Sequence, residues 1–533
     1  MPCFSNCSPT EESELRSSSK ASPYAGERRV QARRDSWIDQ IADLRLEAEA
    51  VLLEMSVMAW RGHEYGEPVN FRSVLRGHKR LTSAETVRLV KRAAAACDDP
   101  TEKRALDYLL MFVVSLFVGE RTAAHHDRIL NATARARVQL DGRSVPYRAL
   151  QLRIANEPDR ARRQKIHSLA MGVVRRFNPQ YARLWRLEHG VPREIGYTYL
   201  RLSEAHRRVR LRDIAALARQ VLDQTEEIHR QLLDEQSRTQ LGCGSDRLRR
   251  SDMPRLLKHV AVERCFPADR LVAMAERTAR NLGFDLRQMG NLRIFAEERP
   301  NKVPRAMCCP LKVPDDVRLS VRPVGGVADY RTLLHEMGHG LHFATTATKR
   351  FEFQHLGAGA VTETYAFLLE HLIENRHWLA AHGRLSEREI AAQLRFSAFS
   401  RIYSMRRYAA KILYEVHLHS GRKRPREAYR RLLSRAYGFP LTNEDAMTYL
   451  SDVDPTFYAA DYFRAWLAEA ILTEHLEERF GPRWFERKAA GRFLAKVWAL
   501  GNQMTVEELL AQLGARQYSI ASWLRRVRAL LGG

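Results

Sequence analysis

The chain is 533 residues long and carries 87 Lys and Arg against 63 Asp and Glu, a formal net charge of +24. With 45% hydrophobic and 28% charged residues it has enough apolar material for two or three packed lobes, which excludes a disordered or fibrous protein. Seven cysteines at irregular spacings, including adjacent Cys308 and Cys309, exclude a disulfide framework and point to a reducing cytoplasm.

Only 13 of the basic residues are Lys, and Arg recurs along nearly every helical segment instead of in one stripe. No nucleic-acid-binding module accompanies this charge. It therefore reads as Arg on solvated helix faces, and no specific nucleic-acid partner is expected.

Residues 1–35 are rich in Ser, Glu and Arg, poor in apolar residues, and expected to form a disordered tail. Glu11, Glu12 and Glu14 argue against an organelle transit peptide, and no secretory apolar region is evident. Residues 36–236 read as a helical N-terminal lobe, with apolar residues at helical spacing in Trp37, Ile41 and Leu44 and again in Ile214, Leu217 and Val221. The longest apolar run, Tyr108–Val118, is broken by Ser115 and too short to cross a bilayer, so it is expected to be a buried helix and no membrane span is expected. Gly242-Cys243-Gly244-Ser245 marks a break, and residues 237–533 form the second region. A small sheet is expected there, near Leu292 and over Val317–Arg322. The latter alternates apolar and polar between Pro310–Pro314 and Pro323, and reads as a short half-buried strand, either an edge able to pair with an extended peptide or a structural strand whose edge a loop covers.

The segment that follows carries the chemistry. In His335-Glu336-Met337-Gly338-His339 the two histidines are four apart, so on a helix both turn toward one metal ion, with Glu336 beside it. A zinc ion there would lower the pKa of water toward neutrality, and Glu336 could take the proton as general base. Gly338 leaves room for another backbone. A catalytic zinc needs a third protein ligand, and Glu363 is the candidate: it follows the break Gly357–Ala360, in the first turn of a strongly apolar helix where a carboxylate is costly unless paired or metal-bound. Glu370 is expected to support a ligating histidine, and His342 and His355 to be packing or supporting groups. A structural metal would instead need a fourth protein ligand, which Cys308 or His355 could supply. Further on, Tyr458 and Tyr462 lie one helical turn apart and can both direct a phenol at an oxyanion. Thr505 reads as an N-cap of a terminal helix.

These motifs resemble the thimet oligopeptidase and oligoendopeptidase F group of zinc metallopeptidases. The pattern His-Glu-x-Gly-His-x-x-His is matched by His335, Glu336, Gly338, His339 and His342, and a downstream glutamate ligand by Glu363. Asn301–Pro310, Gly325–Tyr330 and Phe457–Trp466 are also similar to stretches of that family, so the likeness covers about residues 280–480. One departure stands out: many members carry a histidine in the loop before the tyrosines, and Met447–Thr456 has none. The resemblance implies a mainly α, bilobed helical metallopeptidase with a deep central cleft and a small β-sheet beside the zinc helix. It implies one Zn2+ per chain on His335, His339 and Glu363, Glu336 as base, and Tyr458 and Tyr462 at the oxyanion. Short unfolded peptides are the implied substrates, cleaved by an oligopeptidase; a carboxypeptidase-type zinc peptidase is the alternative within hydrolases. A non-enzymatic basic helical protein with a structural metal is the alternative from another class. Oligomeric state is left open.

Overall fold

The computed structural model describes residues 24–303 and 305–532. Of the expected tail, residues 1–23 lie outside the described residues, and from Tyr24 the chain is in a helix that runs to Tyr65. The protein is 72% helical, about twice the usual share for a globular protein, and is mainly α. Many helix starts are set by local chemistry. Asp99 caps the long helix Pro100–Arg135 by accepting the Glu102 N–H, with Pro100 in the first turn where its missing N–H costs nothing. Leu106, Leu109, Val113, Val114 and Phe117 of this helix are fully buried, so the expected buried helix over Tyr108–Val118 is present. Thr505 N-caps Val506–Gln512 as expected, in a reciprocal capping box with Glu508, but this helix is not the terminal one, since Ile520–Ala529 follows it.

One hairpin interrupts the N-terminal helices. Strands β1 (Arg137–Leu140) and β2 (Arg143–Pro146) pair antiparallel across Asp141-Gly142, both with positive φ (51° and 74°). An Asp-Gly pair between alternating segments is a strong hairpin signal, and it is legible in the sequence although the region reads as helical overall.

The second sheet corrects an expectation. Strands β3 (Leu292–Phe295), β4 (Met307–Lys312) and β5 (Asp316–Ser320) lie in the order β3-β5-β4, with β5 parallel to β3 and antiparallel to β4. The strand read as an edge over Val317–Arg322 is therefore the central one, paired on both sides, with Val317 and Leu319 fully buried. Its alternating pattern records one buried face and carries no information about its neighbours. The edge strand beside the site below is β4.

Three large cores organise the molecule. One packs the three-stranded sheet against the helices Val327–Thr345 and Gly359–Glu370. A second joins residues 185–257 to residues 396–527, and so is shared by segments on both sides of position 236. A third holds the first helices together. The arginines are not confined to solvated faces: Arg406 and Arg464 are fully buried within these cores.

The contact that positions the site is the crossing of Val327–Thr345 and Gly359–Glu370. A Cβ on Gly338 would lie 2.6 Å from both the Ala366 Cα and the Tyr365 carbonyl oxygen, so only glycine permits this approach. Gly338→Ala is expected to destabilise the protein by about 1–3 kcal/mol through overpacking, read as a lowered unfolding midpoint in a thermal melt.

Candidate metal and catalytic site

The helix Val327–Thr345 begins after Gly325 and Gly326, both at positive φ, and Asp329 Oδ2 secures this turn by accepting the N–H groups of Val324 and Gly325 at 2.7 and 2.9 Å. His335 and His339 lie one turn apart on it, their ring centroids separated by 4.9 Å. Glu363 arrives from the crossing helix. That helix starts at Gly359, earlier than expected, which moves Glu363 from the first turn to the second.

Three donors converge. Glu363 Oε2 lies 3.4 Å from His335 Nε2 and 3.7 Å from His339 Nε2. These contacts lack hydrogen-bond geometry, and Glu363 Oε2 is left buried without a partner. Such an atom is unfavourable in a protein interior unless something cationic completes it. Tetrahedral coordination with bonds of about 2.0–2.1 Å places neighbouring ligand atoms roughly 3.4 Å apart, close to both separations. The residues therefore fit a zinc ion. Among the described residues the cluster of donor atoms within 4.8 Å comprises His335, His339 and Glu363 and does not include Cys308 or His355, so a fourth closing ligand is not present there.

The outward ring nitrogens are fixed. His335 Nδ1 pairs with Glu370 Oε2 at 2.8 Å, and Arg331 donates to Glu370 Oε1 through Nε and Nη2 at 2.9 and 2.6 Å. His339 Nδ1 meets Thr362 Oγ1 at 2.7 Å, and His342 Nδ1 reaches the same oxygen at 3.2 Å. The supporting role expected for Glu370 is thus present, and His342 is a buried group beside Thr362. Burial opposes charge on Glu370, yet Arg331 and His335 override it and hold its carboxyl well below the usual range. Burial likewise opposes charge on His335, while the Glu363 and Glu370 carboxylates favour it, a pull toward positive charge that a metal ion between them would satisfy. Burial pushes His342 down to about 3 and His355 to about 4, so both are neutral near pH 7.

Glu336 is tied to the sheet. Its Oε2 accepts the Cys308 N–H of β4 at 2.7 Å, so the β4 edge beside the site holds this carboxylate in place. Tyr458 OH donates to Glu363 Oε1 at 2.5 Å. The Tyr462 ring packs against Tyr458 at 5.2 Å and Phe367 at 5.3 Å. Burial and the Glu363 carboxylate raise both phenols well above their ordinary range, so each is a proton-bearing donor at neutral pH.

Several residues at the site have no counterpart in the sequence reading. Thr362 and Arg331 neighbour the motif residues, and Arg331 sits one turn before His335, so helical spacing could have found it. Arg207 could not be found this way, because it lies about 250 residues from its partners. It donates to Thr456 O and Oγ1, each at 2.8 Å, and to Asp461 Oδ2 at 2.6 Å, and its guanidinium lies 4.9 Å from the Tyr458 ring centroid. Thr456 and Phe457 both have positive φ (46° and 57°), and the Thr456 N–H donates to Tyr199 OH at 2.8 Å. The loop before the tyrosines is thus clamped by an arginine and a tyrosine from a distant helix.

The sequence profile described as Peptidase family M3 matches residues 325–529, the stretch that carries every residue of the cluster. The fold is similar to that of PZ peptidase A solved with an inhibitor, at 13% identity and a TM-score of 0.65 over 89% of each chain. It is also similar to a Bacillus anthracis str. Ames protein described as an oligoendopeptidase F, at 12% identity and a TM-score of 0.63, covering 89% of this chain and 87% of that one. No curated protein sequence matches the chain. The family profile, the shared fold and the motif agree in likening residues 325–529 of this chain to peptidase family M3.

Proposed function

We propose that this peptidase is a zinc-dependent metalloendopeptidase acting on short, unfolded peptides, with one Zn2+ held by His335, His339 and Glu363. The observation that carries the reading is the buried, unpartnered Glu363 Oε2 between two imidazoles whose other nitrogens are already engaged. A zinc ion bound there supplies Lewis acidity, polarising the peptide carbonyl and making water acidic enough to deprotonate near neutral pH.

The chain's own residues do the rest. Glu336, with Oε2 fixed by the Cys308 N–H, keeps Oε1 to accept the proton of the attacking water and later to return it to the leaving amine. Tyr462 makes no side-chain hydrogen bond among the described residues, so its phenol is available to an oxyanion. Tyr458 spends its proton on Glu363 and must exchange that partner to contribute directly. The five described cysteines are free, which supports a reducing compartment such as the cytoplasm, and no described helix is long and apolar enough to cross a membrane.

Chelation is expected to remove one zinc per chain and abolish peptide hydrolysis while circular dichroism stays native, because cores of this size do not depend on a metal. Glu336→Gln should retain zinc by elemental analysis and lose about a hundred- to ten-thousandfold in kcat. Glu363→Ala should lose the zinc; full loading of that variant would remove Glu363 from the ligand set.

Arg207→Met is expected to loosen the loop before Tyr458 and leave Asp461 with only the more distant Arg464, at 3.6 Å, as counter-charge. Steady-state kinetics should give kcat lower by roughly ten- to a hundredfold with zinc still bound, the size of effect that misplacing a group at a reacting centre produces.

Incubation with a mixed peptide library, with products read by mass spectrometry, tests the substrate class. Internal cuts in peptides of up to about twenty residues, with folded proteins spared, are expected of a recessed site that admits only unfolded chain. Stepwise loss of single C-terminal residues would establish a carboxypeptidase instead.

A further inference from the structure

A separate cavity of about 480 Å3 shares no lining residue with the site above. It lies between the segments 147–151, 167–171 and 250–257 and residues Tyr403 and Arg407 of the helix Glu387–His419. Its charge is one-sided. Arg148, His167, Arg250 and Arg407 line it, and no Asp or Glu does.

Most of these charges are accounted for from behind. His167 Nε2 is 2.7 Å from Asp445 Oδ1, and Arg407 donates to Asp452 Oδ1 at 2.6 Å, whose Oδ2 is taken by Tyr429 OH at 2.7 Å. Arg148 is exposed at the rim and reaches Leu130 O at 3.4 Å. Arg250 differs. Its guanidinium lies 5.1 Å from the Tyr437 ring centroid, and it has no hydrogen bond or ion pair with any described residue, while its Nη1 is shut off from solvent with no partner. Asp252, two residues on, is already shared by Arg160 and Arg163. The nearest anion acting on it is Asp452, which is out of contact and already held by Arg407 and Tyr429. A half-buried guanidinium with no anion in contact is unfavourable, and here an open cavity lies beside it.

The rest of the wall describes the missing partner. One unpaired guanidinium calls for one negative charge, and its planar fork matches a carboxylate in bidentate fashion. Tyr403 and Tyr437 stack nearly parallel, with centroids 5.4 Å apart, and the wall also includes Met171, Met253 and Leu257. The volume lies within the range of small-molecule sites. We propose that this cavity binds a small monocarboxylate with an apolar body, its carboxylate paired with Arg250 and its body against Met171, Met253 and Leu257. The carboxylate could come from a free organic acid or from the C-terminus of a peptide.

Isothermal titration of the full-length, zinc-loaded protein with N-acetylphenylalanine tests this without relying on peptidase activity. The acid is expected to bind at one site and its neutral amide at least roughly tenfold more weakly, as loss of a charge-assisted pair requires. Arg250→Gln should weaken the acid by a similar factor, and Met253→Trp, which fills the cavity, should abolish binding. The acid-to-amide comparison on the unaltered protein stands even if either variant fails to fold. Displacement of the acid by a peptide with a free C-terminus, but not by its C-terminal amide, would identify the peptide terminus as the source, whereas displacement by neither would identify a free acid. No binding, equal binding of acid and amide, undiminished binding by folded Arg250→Gln, or displacement by both peptides would overturn the proposal.

Discussion

Everything at the site depends on how closely two helices cross. Because residue 338 has no Cβ, the Ala366 backbone can rest against the His335 helix, and this brings Glu363 Oε2 to within 3.4 and 3.7 Å of the two imidazoles. The same crossing helix also carries Thr362 and Glu370, the partners of both outward ring nitrogens. One backbone contact therefore delivers a third donor and fixes the orientation of the other two. Burying two carboxylates so close together is unfavourable in isolation, and Arg331 is the group that makes it tolerable, through a two-pronged hydrogen bond to Glu370.

A second constraint comes from far away in sequence. Thr456 and Phe457 occupy left-handed backbone conformations that cost non-glycine residues roughly 1–3 kcal/mol each. Arg207 and Tyr199 hold them there with charge-assisted and backbone hydrogen bonds, and Arg464 in turn donates to the Arg207 carbonyl at 2.9 Å and pairs with Glu507. This loop is the one that departs from the resembling family by lacking a histidine. In this chain an arginine contributed by the helix Tyr199–Arg207 occupies the space beside Tyr458, so the phenol is oriented by tertiary structure and not by a neighbour in the loop.

What was legible in the sequence follows from the range over which each signal acts. His335, Glu336, Gly338 and His339 share one helix, so spacing alone brings them together; Glu363 and Glu370 were within reach because a helix period relates them once the third donor is sought. The hairpin at Asp141-Gly142 had a local signature that a helical reading of its surroundings obscured. Strand order was not legible, because alternation in Val317–Arg322 reports which face is buried and is the same for an edge or a central strand. Arg207 had no local signature, since its partners are set by packing across the second core.

The arginine content shows the same limit. Sequence assigns excess charge to the surface by default, but Arg406 is fully buried and donates to the carbonyls of Leu222, Arg435 and Ala436, the last turns of two helices, as well as to Glu226. Helix C-termini present unpaired carbonyls with partial negative charge, and a guanidinium satisfies several at once where an ammonium has fewer donors and no fixed plane. Arg401 is buried in the same way between Glu374 and Glu469. Part of the +24 is thus structural, each buried charge matched by a carbonyl or a carboxylate. Measured against that pattern Arg250 is the exception, since it is in contact with neither kind of partner among the described residues, feels Asp452 only at a distance, and borders a cavity that an anion could enter.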